Sequence, residues 1–233
     1  MEICCFDIET IPNQNLPKNV TPQFDPLSVK HGNTKDQAKR DAKEAAERAK
    51  FSHSLDKKMS LDPDLCQVAC FCGAIYDTTT GVADQVVYTG EPAAITLGWK
   101  FIYDAYHKAI PLVSYNGNGF DLPVLLHRSM DLQVPMSRRI YNELTRRYST
   151  KSHYDLMQVL ADWDRQKWQP LDFYLNRFGL GGKTGDGGHV YGMWKEGNIK
   201  AIEEYCMSDV LATAALFRRV EPWIVETVGV EDA

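Results

Sequence analysis

Residues 2–10 read Glu-Ile-Cys-Cys-Phe-Asp-Ile-Glu-Thr, a nearly continuous apolar run that two acids, Asp7 and Glu9, interrupt. Short apolar runs of this kind are typical of a central strand that is covered on both faces of its sheet. Because successive side chains of a strand point to opposite faces, these two acids share one face. We therefore predict a first strand that carries two neighbouring carboxylates.

The acid pair has two interpretations. Two adjacent carboxylates repel each other, and burying them is costly unless a cation neutralises their charge. A hard divalent metal ion with oxygen ligands is the natural partner of Asp7 and Glu9. In the alternative, the strand ends near Ile8 and water solvates both acids. The pair alone does not decide between a metal site and a solvated strand end.

The rest of the pattern predicts an α/β fold. Further strands are expected over residues 66–76, 84–88 and 112–115, and the turn residues 77–81 would join the first two of these as an antiparallel hairpin. With the first strand, this hairpin would form a meander. Helices are predicted over residues 93–109, 120–130, 138–148, 155–163, 170–178 and 199–220. This order predicts a mixed central sheet that is flanked by helices.

Composition limits the class of protein. A chain of 233 residues, 44% of them hydrophobic, suffices for one large domain over residues 1–233, in which residues 12–63 form an insertion. Residues 34–50 of that insertion predict a charged helix, either an exposed appendage or a lid over a substrate groove. The formal charge of −5 argues against coating nucleic acid or a membrane by charge alone.

Targeting signals are not apparent. An acid follows the initial Met where a secretory signal would be positive, and no run of about 18 apolar residues follows. We therefore expect a protein that is not secreted and has no membrane partner, located in the cytoplasm and of bacterial or viral origin.

The cysteines predict buried, reduced thiols rather than a disulfide framework. They are Cys4, Cys5, Cys66, Cys70, Cys72 and Cys206. Cys66, Cys70 and Cys72 resemble part of a zinc site, but no fourth ligand lies at the spacing of a zinc finger, and the surrounding residues are typical of a strand. We therefore predict structural thiols.

A second motif lies at residues 114–121, Ser-Tyr-Asn-Gly-Asn-Gly-Phe-Asp, which predicts a strand, a Gly/Asn turn and the start of a helix. It delivers Asp121 to the end of a strand, where open α/β sheets commonly place their sites. Alternatively, Asp121 is only the N-cap of that helix. Asp155 has the same two interpretations: the N-cap of a later helix, or an acid that supports the site.

A third motif is Tyr-Cys-Met-Ser-Asp at residues 205–209, inside a helix. One inward stripe of this helix would be Ile202, Tyr205, Asp209, Ala212 and Leu216. An acid on such a stripe needs a partner, which a metal ion would provide. The alternative rotation leaves Asp209 in water. Its inward stripe would be Cys206, Val210, Thr213 and Phe217.

In order and type, the three motifs resemble those of the DEDDy family of exonucleases, which has the RNase H-like fold and includes the proofreading domains of DNA polymerases. The likeness is greatest to stand-alone exonucleases related to the proofreading domain of family-B polymerases. It implies that two Mg²⁺ or Mn²⁺ ions are held by Asp7, Glu9, Asp121 and Asp209, and that Tyr205 positions the attacking water. Another branch of the family carries histidine at the position of Glu204, so the tyrosine branch is indicated.

The resemblance implies an enzyme that releases nucleotides from the 3′ end of DNA and prefers single-stranded or frayed ends. A separate polymerase or a replication or repair protein would be a natural partner. Two alternatives remain. One is a 3′–5′ exoribonuclease with the same metals, because no motif reports contacts to the 2′ hydroxyl. The other is a nucleic-acid-binding module without catalysis.

Five residues other than the acids are candidate substrate contacts. They are Asn116, Phe120, Arg146, Arg147 and Lys183. The two arginines belong to a basic stretch interleaved with tyrosines, which either grips phosphates and stacks bases or forms a solvated helix face. Lys183 follows two glycines like the end of a P-loop, but a predicted helix precedes it, which excludes a nucleotide triphosphatase. By resemblance, this glycine-rich run borders the substrate groove.

Overall fold

The computed structural model describes residues 1–182 and 187–225, which form a five-stranded mixed sheet with helices on both faces. The strands are β1 (Glu2–Pro12), β2 (Cys66–Asp77), β3 (Ala83–Thr89), β4 (Leu112–Ser114) and β5 (His153–Asp155). Their order in the sheet is β3-β2-β1-β4-β5. The first three strands are antiparallel neighbours, and β4 and β5 run parallel to β1. The predicted meander and the α/β class are confirmed.

The helices of the described ranges are α1 (Gln37–Ser60), α2 (Glu91–His107), α3 (Asp121–Asp131), α4 (Arg138–Leu144), α5 (Leu156–Val159), α6 (Leu171–Arg177), α7 (Val190–Lys195) and α8 (Ile199–Ile224). Neither β5 nor α7 was predicted from the sequence. None of these helices combines the length and apolarity needed to span a membrane.

Two predicted helices are shorter than expected because of backbone conformation. Residues 138–148 were predicted as one helix, yet α4 ends at Leu144, and Tyr148 has a φ of +60°. Residues 155–163 likewise give only the short α5, with Asp162 and Trp163 at φ values of +49° and +62°. Positive φ is incompatible with a right-handed helix.

The alternation of β1 divides its side chains between two cores. Ile3, Cys5 and Ile11 pack in the cluster that includes α8, whereas Cys4 and Phe6 pack on the opposite face with α2 and α3. Both faces of β1 are therefore covered, as its apolar composition predicted. Because Asp7 and Glu9 alternate with Phe6 and Ile8, they belong to the α8 side of the sheet.

The C-terminal half of β1 is where the sheet becomes irregular. Its pairing with β4 is limited to Cys4 and Cys5, while its pairing with β2 continues to Pro12. A register shift interrupts that second ladder between Glu9 and Thr10. The strand does not end at Ile8, so the predicted strand end there is wrong, and the side chains of Asp7 and Glu9 are partly buried.

Residues 13–65 lie between β1 and β2 and contain α1. The charged helix predicted over residues 34–50 is confirmed in type, although it extends from Gln37 to Ser60. Asp36 caps its N-terminus by accepting a hydrogen bond from the Lys39 amide. Most of the helix is exposed, but Met59 is buried, and Thr10 Oγ1 donates to Ser60 O at 2.6 Å. The base of this segment thus packs on β1.

Candidate active site

Asp7 and Glu9 form the base of the candidate site. Both side chains are half-buried, and their carboxylate oxygens lie with Cys206 Sγ in a group whose members are within 4.8 Å of one another. The Cys206 thiol donates to Asp7 O at 3.5 Å and contacts Asp7 Oδ2 at 3.6 Å. The structure therefore brings the first and third sequence motifs together.

Asp121 contacts β1 through the backbone of that strand. Its Oδ1 accepts a hydrogen bond from the Ile8 amide at 3.1 Å, on the edge of β1 that β4 leaves unpaired. The N-cap of α3 is Phe120, which makes no side-chain cap bond, so the interpretation of Asp121 as an N-cap is wrong. Burial raises the pKa of Asp121 to about 7, with a smaller contribution from Asp155. A cation beside this carboxyl group would favour its ionised form.

The turn before Asp121 has a conformation that its sequence permits. Asn116 has a φ of +68°, in the left-handed region that asparagine tolerates. A Cβ atom on Gly119 would lie 2.3 Å from Asn116 Oδ1, so a larger residue there would require the Asn116 side chain to move. Asn116 Oδ1 itself is buried and has no hydrogen-bond partner within the described part of the chain.

Asp155 holds this turn in place. Its two carboxylate oxygens accept hydrogen bonds from the amides of Asn116 and Asn118, each at 3.0 Å. It also caps α5 by accepting from the Met157 amide at 3.2 Å. The N-cap prediction is confirmed, and the same fully buried carboxylate fixes the loop that leads to Asp121.

His153 and Ser114 support the turn from beneath. His153 Nδ1 lies 3.2 Å from Leu144 O, so Nδ1 carries the proton and Nε2 accepts from Ser114 Oγ at 2.8 Å. Ser114 Oγ in turn accepts from the Gly117 amide at 3.1 Å. Complete burial lowers the pKa of His153 to about 4, which keeps the imidazole neutral. This network was not predicted from the sequence, because it depends on the unpredicted strand β5.

Helix α8 contributes Tyr205 and Asp209. Each is only 8% exposed, and they lie one turn apart on either side of Cys206 in the sequence. The two inward stripes considered from the sequence are not exclusive, because members of both are buried across a wide arc of the helix. The rotation that would leave Asp209 in water is wrong.

The candidate substrate contacts divide into three groups. Asn116 and Phe120 lie in the turn before α3, where Phe120 packs partly against the core on the α2 side. Arg146 and Arg147 are exposed in the loop before β5, and not on a helix as predicted. This loop precedes the N-terminal end of β5, whereas Asp121 follows the C-terminal end of the parallel strand β4. The two arginines thus lie towards the end of the strands opposite to the end that leads to Asp121. Lys183 lies outside the described residues.

This geometry, a mixed sheet whose central strand carries two acids and meets Asp121 of α3 and Cys206 of α8, fits a hydrolase of the RNase H-like nuclease class. Residues 73–226 match the family described as "Predicted 3′-5′ exonuclease related to the exonuclease domain of PolB". The chain belongs to this family. The matched residues contain Asp121, Tyr205 and Asp209, while Asp7 and Glu9 precede them.

One solved structure supports the fold. The family-B DNA polymerase of the archaeon Pyrobaculum calidifontis is 18% identical with a TM-score of 0.57, and the match covers 95% of this chain and 25% of the polymerase. Exonuclease I of E. coli, solved with a dT13 oligonucleotide, is 16% identical with a TM-score of 0.37, and the match covers 70% of this chain and 39% of that protein. The chain therefore spans less than half the length of either protein. Comparison with curated protein sequences finds no match.

Proposed function

We propose that this chain removes nucleotides one at a time from the 3′ end of DNA, with a preference for single-stranded or frayed ends, by metal-dependent hydrolysis of the terminal phosphodiester. The observation that carries the proposal is the convergence of acids on β1. Asp7 and Glu9 lie beside Cys206 of α8, and Asp121 is hydrogen-bonded to the Ile8 amide between them. In this proposal residues 1–233 act as one exonuclease domain, and the segment between β1 and β2 is an insertion.

The residues fit hard divalent ions. The donor set is dominated by carboxylates, which suit Mg²⁺ and Mn²⁺. A half-buried acid pair and a buried acid with a raised pKa also need positive charge to be stable as anions. Two such ions would be held by Asp7, Glu9, Asp121 and Asp209. When bound, they would supply charge stabilisation at the scissile phosphate and acidify a water molecule.

The protein groups have separate tasks in this proposal. Asp7 would be shared by both ions, while Glu9 and Asp209 would complete the ligands of one and Asp121 would support the other. Tyr205 orients the attacking water through its hydroxyl group. The hydrogen bond from the Ile8 amide fixes Asp121, and the Asp155 carboxylate fixes the loop before it. This preorganised arrangement reduces the reorganisation that the reaction requires.

Substrate binding rests on the rim of the site. Asn116 lies in the turn before Asp121, and the partly exposed Phe120 offers an aromatic ring beside that acid. A frayed or single strand enters such a site most easily, because its last base need not be unpaired first. The exposed Arg146 and Arg147 would bind phosphates only of a strand that extends from the acids towards the other end of the sheet. Trimming of this kind serves DNA replication or repair.

The direct test is digestion of end-labelled oligonucleotides. Single- and double-stranded DNA and RNA would each be incubated with Mg²⁺, with Mn²⁺ and with a chelator. We expect stepwise shortening of single-stranded DNA from its 3′ end in either metal and none with chelator. Faster digestion of RNA than of DNA would assign the chain to the exoribonucleases. Binding of the strands without cleavage in either metal would support a non-catalytic module.

A blocked terminus tests the polarity. A single DNA strand whose 3′ hydroxyl is capped should resist digestion at least tenfold, because the terminal nucleotide must enter the site. The matched control is the same strand with the cap on its 5′ end, which should be digested at the uncapped rate. Equal digestion of both capped strands would identify an endonuclease.

The basic loop gives a separate prediction. Arg146→Ala together with Arg147→Ala should raise KM and weaken its dependence on salt while kcat changes little, because the arginines lie away from the acids. The matched control is Lys57→Ala with Lys58→Ala, which removes the same charge from the exposed end of α1. If both double variants have the same KM at low salt, the two arginines do not bind substrate and only form a solvated surface.

A further inference from the structure

A group of three buried thiols lies beside the acid pair. Cys70 and Cys72 of β2 stand opposite Glu9 and Asp7 in the β1 ladder, and Cys206 of α8 closes over them. The three sulfur atoms are all within 4.8 Å of one another. Cys66, which the sequence grouped with the first two, faces the other core. The third thiol thus comes from the other end of the chain.

The distances suit a tetrahedral metal site. With zinc–sulfur bonds of about 2.3 Å and a zinc–oxygen bond of about 2.0 Å, the sulfur atoms lie about 3.8 Å apart and a sulfur and an oxygen about 3.5 Å apart. The Sγ atoms of Cys70 and Cys72 are 4.0 Å apart, and Cys206 Sγ lies 3.6 Å from Asp7 Oδ2. The three sulfur atoms therefore need only small shifts to surround one ion. The Asp7 oxygen is near Cys206 Sγ but not within 4.8 Å of all three sulfur atoms, so it must move towards the thiols to become the fourth ligand.

We propose that Cys70, Cys72 and Cys206 form a second metal site, which binds a thiophilic divalent cation such as Zn²⁺ with the Asp7 carboxylate as fourth ligand. Thiolate ligands select zinc and similar ions over Mg²⁺ and Mn²⁺, so this site and the carboxylate site differ in preference. Each thiol that binds the ion releases its proton to solvent. The half-buried Asp7 provides the route of entry, since the three thiols are themselves buried.

Sharing of Asp7 gives this site a regulatory consequence, which rests on the proposed nuclease function. An ion among the thiols would withdraw one Asp7 oxygen from the ions that the acids hold. The nuclease would then be inhibited by zinc even in excess Mg²⁺. Inhibition would be relieved by a chelator with higher affinity for zinc than for magnesium.

Metal binding can be measured without nuclease activity. Reduced, metal-free protein would be titrated with Co²⁺, whose thiolate complexes show a sulfur-to-cobalt charge-transfer band and strong visible bands when tetrahedral. We expect one equivalent to bind with both signatures and to be displaced by Zn²⁺. A wild-type titration without the charge-transfer band overturns the proposal, and this result does not depend on whether any variant folds.

Single variants locate the ligands. Cys70→Ala and Cys72→Ala should each weaken Zn²⁺ binding on the order of a hundredfold, the share of one ligand in a four-ligand site. Cys66→Ala is the matched control, because it removes a buried thiol from the same strand on the other face and should bind like wild type. Equal affinity in Cys72→Ala and Cys66→Ala would exclude the thiols as ligands.

The regulatory consequence is tested by zinc inhibition of DNA digestion in excess Mg²⁺. Wild type and Cys66→Ala should be inhibited at zinc concentrations that Cys72→Ala withstands. If zinc inhibits wild type, Cys66→Ala and Cys72→Ala equally, the inhibition is due to zinc at the acids alone, and the proposed regulation is wrong. If the protein never digests DNA, the proposed function is refuted. If that same protein binds Co²⁺ with thiolate signatures, the proposed thiol site is still supported.

Discussion

Replacement of Asp7 by alanine is expected to reduce the rate of nucleotide release by about three orders of magnitude or more, the largest effect that we predict for a single residue. In the proposed site Asp7 would be shared by both ions, so its loss would remove a ligand from each of them. The rate would be measured on a single-stranded DNA in saturating Mg²⁺ and again in Mn²⁺.

Folding should survive this change. Asp7 is half-buried beside another acid, so alanine removes a repulsion as well as the weak contact with Cys206. We therefore expect a thermal midpoint near that of metal-free wild type, and a much smaller increase on adding Mg²⁺. Glu2→Ala is the matched control, because it removes an exposed acid from the same strand. An Asp7→Ala protein that digests DNA at the wild-type rate would end the site assignment.

Tyr205→Phe is expected to have the second-largest effect, a decrease in kcat of roughly 10- to 1,000-fold with little change in KM. The substitution removes one hydroxyl group and keeps the ring, which is buried in the core between the sheet and α8. If that hydroxyl orients the attacking water, the chemical step slows while substrate binding and the metal dependence of thermal stability persist.

Tyr174→Phe is the control for this variant. Tyr174 is buried in the same core, and its hydroxyl donates to a backbone carbonyl, Leu160 O, at 3.5 Å. We expect this variant to lose some stability and keep its rate per folded molecule. The same pattern in Tyr205→Phe would make Tyr205 a packing residue and remove it from the mechanism, while the four acids would keep their assignment.

The sequence predicted the part of the fold that has strong local patterns. The apolar run of β1, the turn between β2 and β3 and the long α8 were recognised because hydrophobic periodicity and turn residues report on them directly. β5 was missed because it has only three residues and ends at Asp155, whose capping signal suggested a helix instead. A strand this short is defined by its pairing with β4 and not by its own composition.

The three motifs that contain the candidate acids could likewise be read from the sequence, but their mutual contacts could not. The hydrogen bond from Ile8 to Asp121 requires that β4 end before it covers this part of β1, which no local pattern indicates. The thiol group was missed for a related reason. Cys206 was seen as an inward-facing residue of α8, and only the packing of that helix on β2 brings it to Cys72.

The segment between β1 and β2 leaves and re-enters the sheet at adjacent points, since the Asn13 amide donates to Leu65 O at 2.9 Å just beyond the pairing of Pro12 with Cys66. The two strands are thus already joined in the manner of a hairpin, and everything between those residues is a loop in the topological sense. Insertions and deletions there leave strand connectivity unchanged, at a cost in closure entropy that grows only slowly with length. Evolution can therefore remodel this segment while the pairing of Asp7 with Cys72 stays fixed.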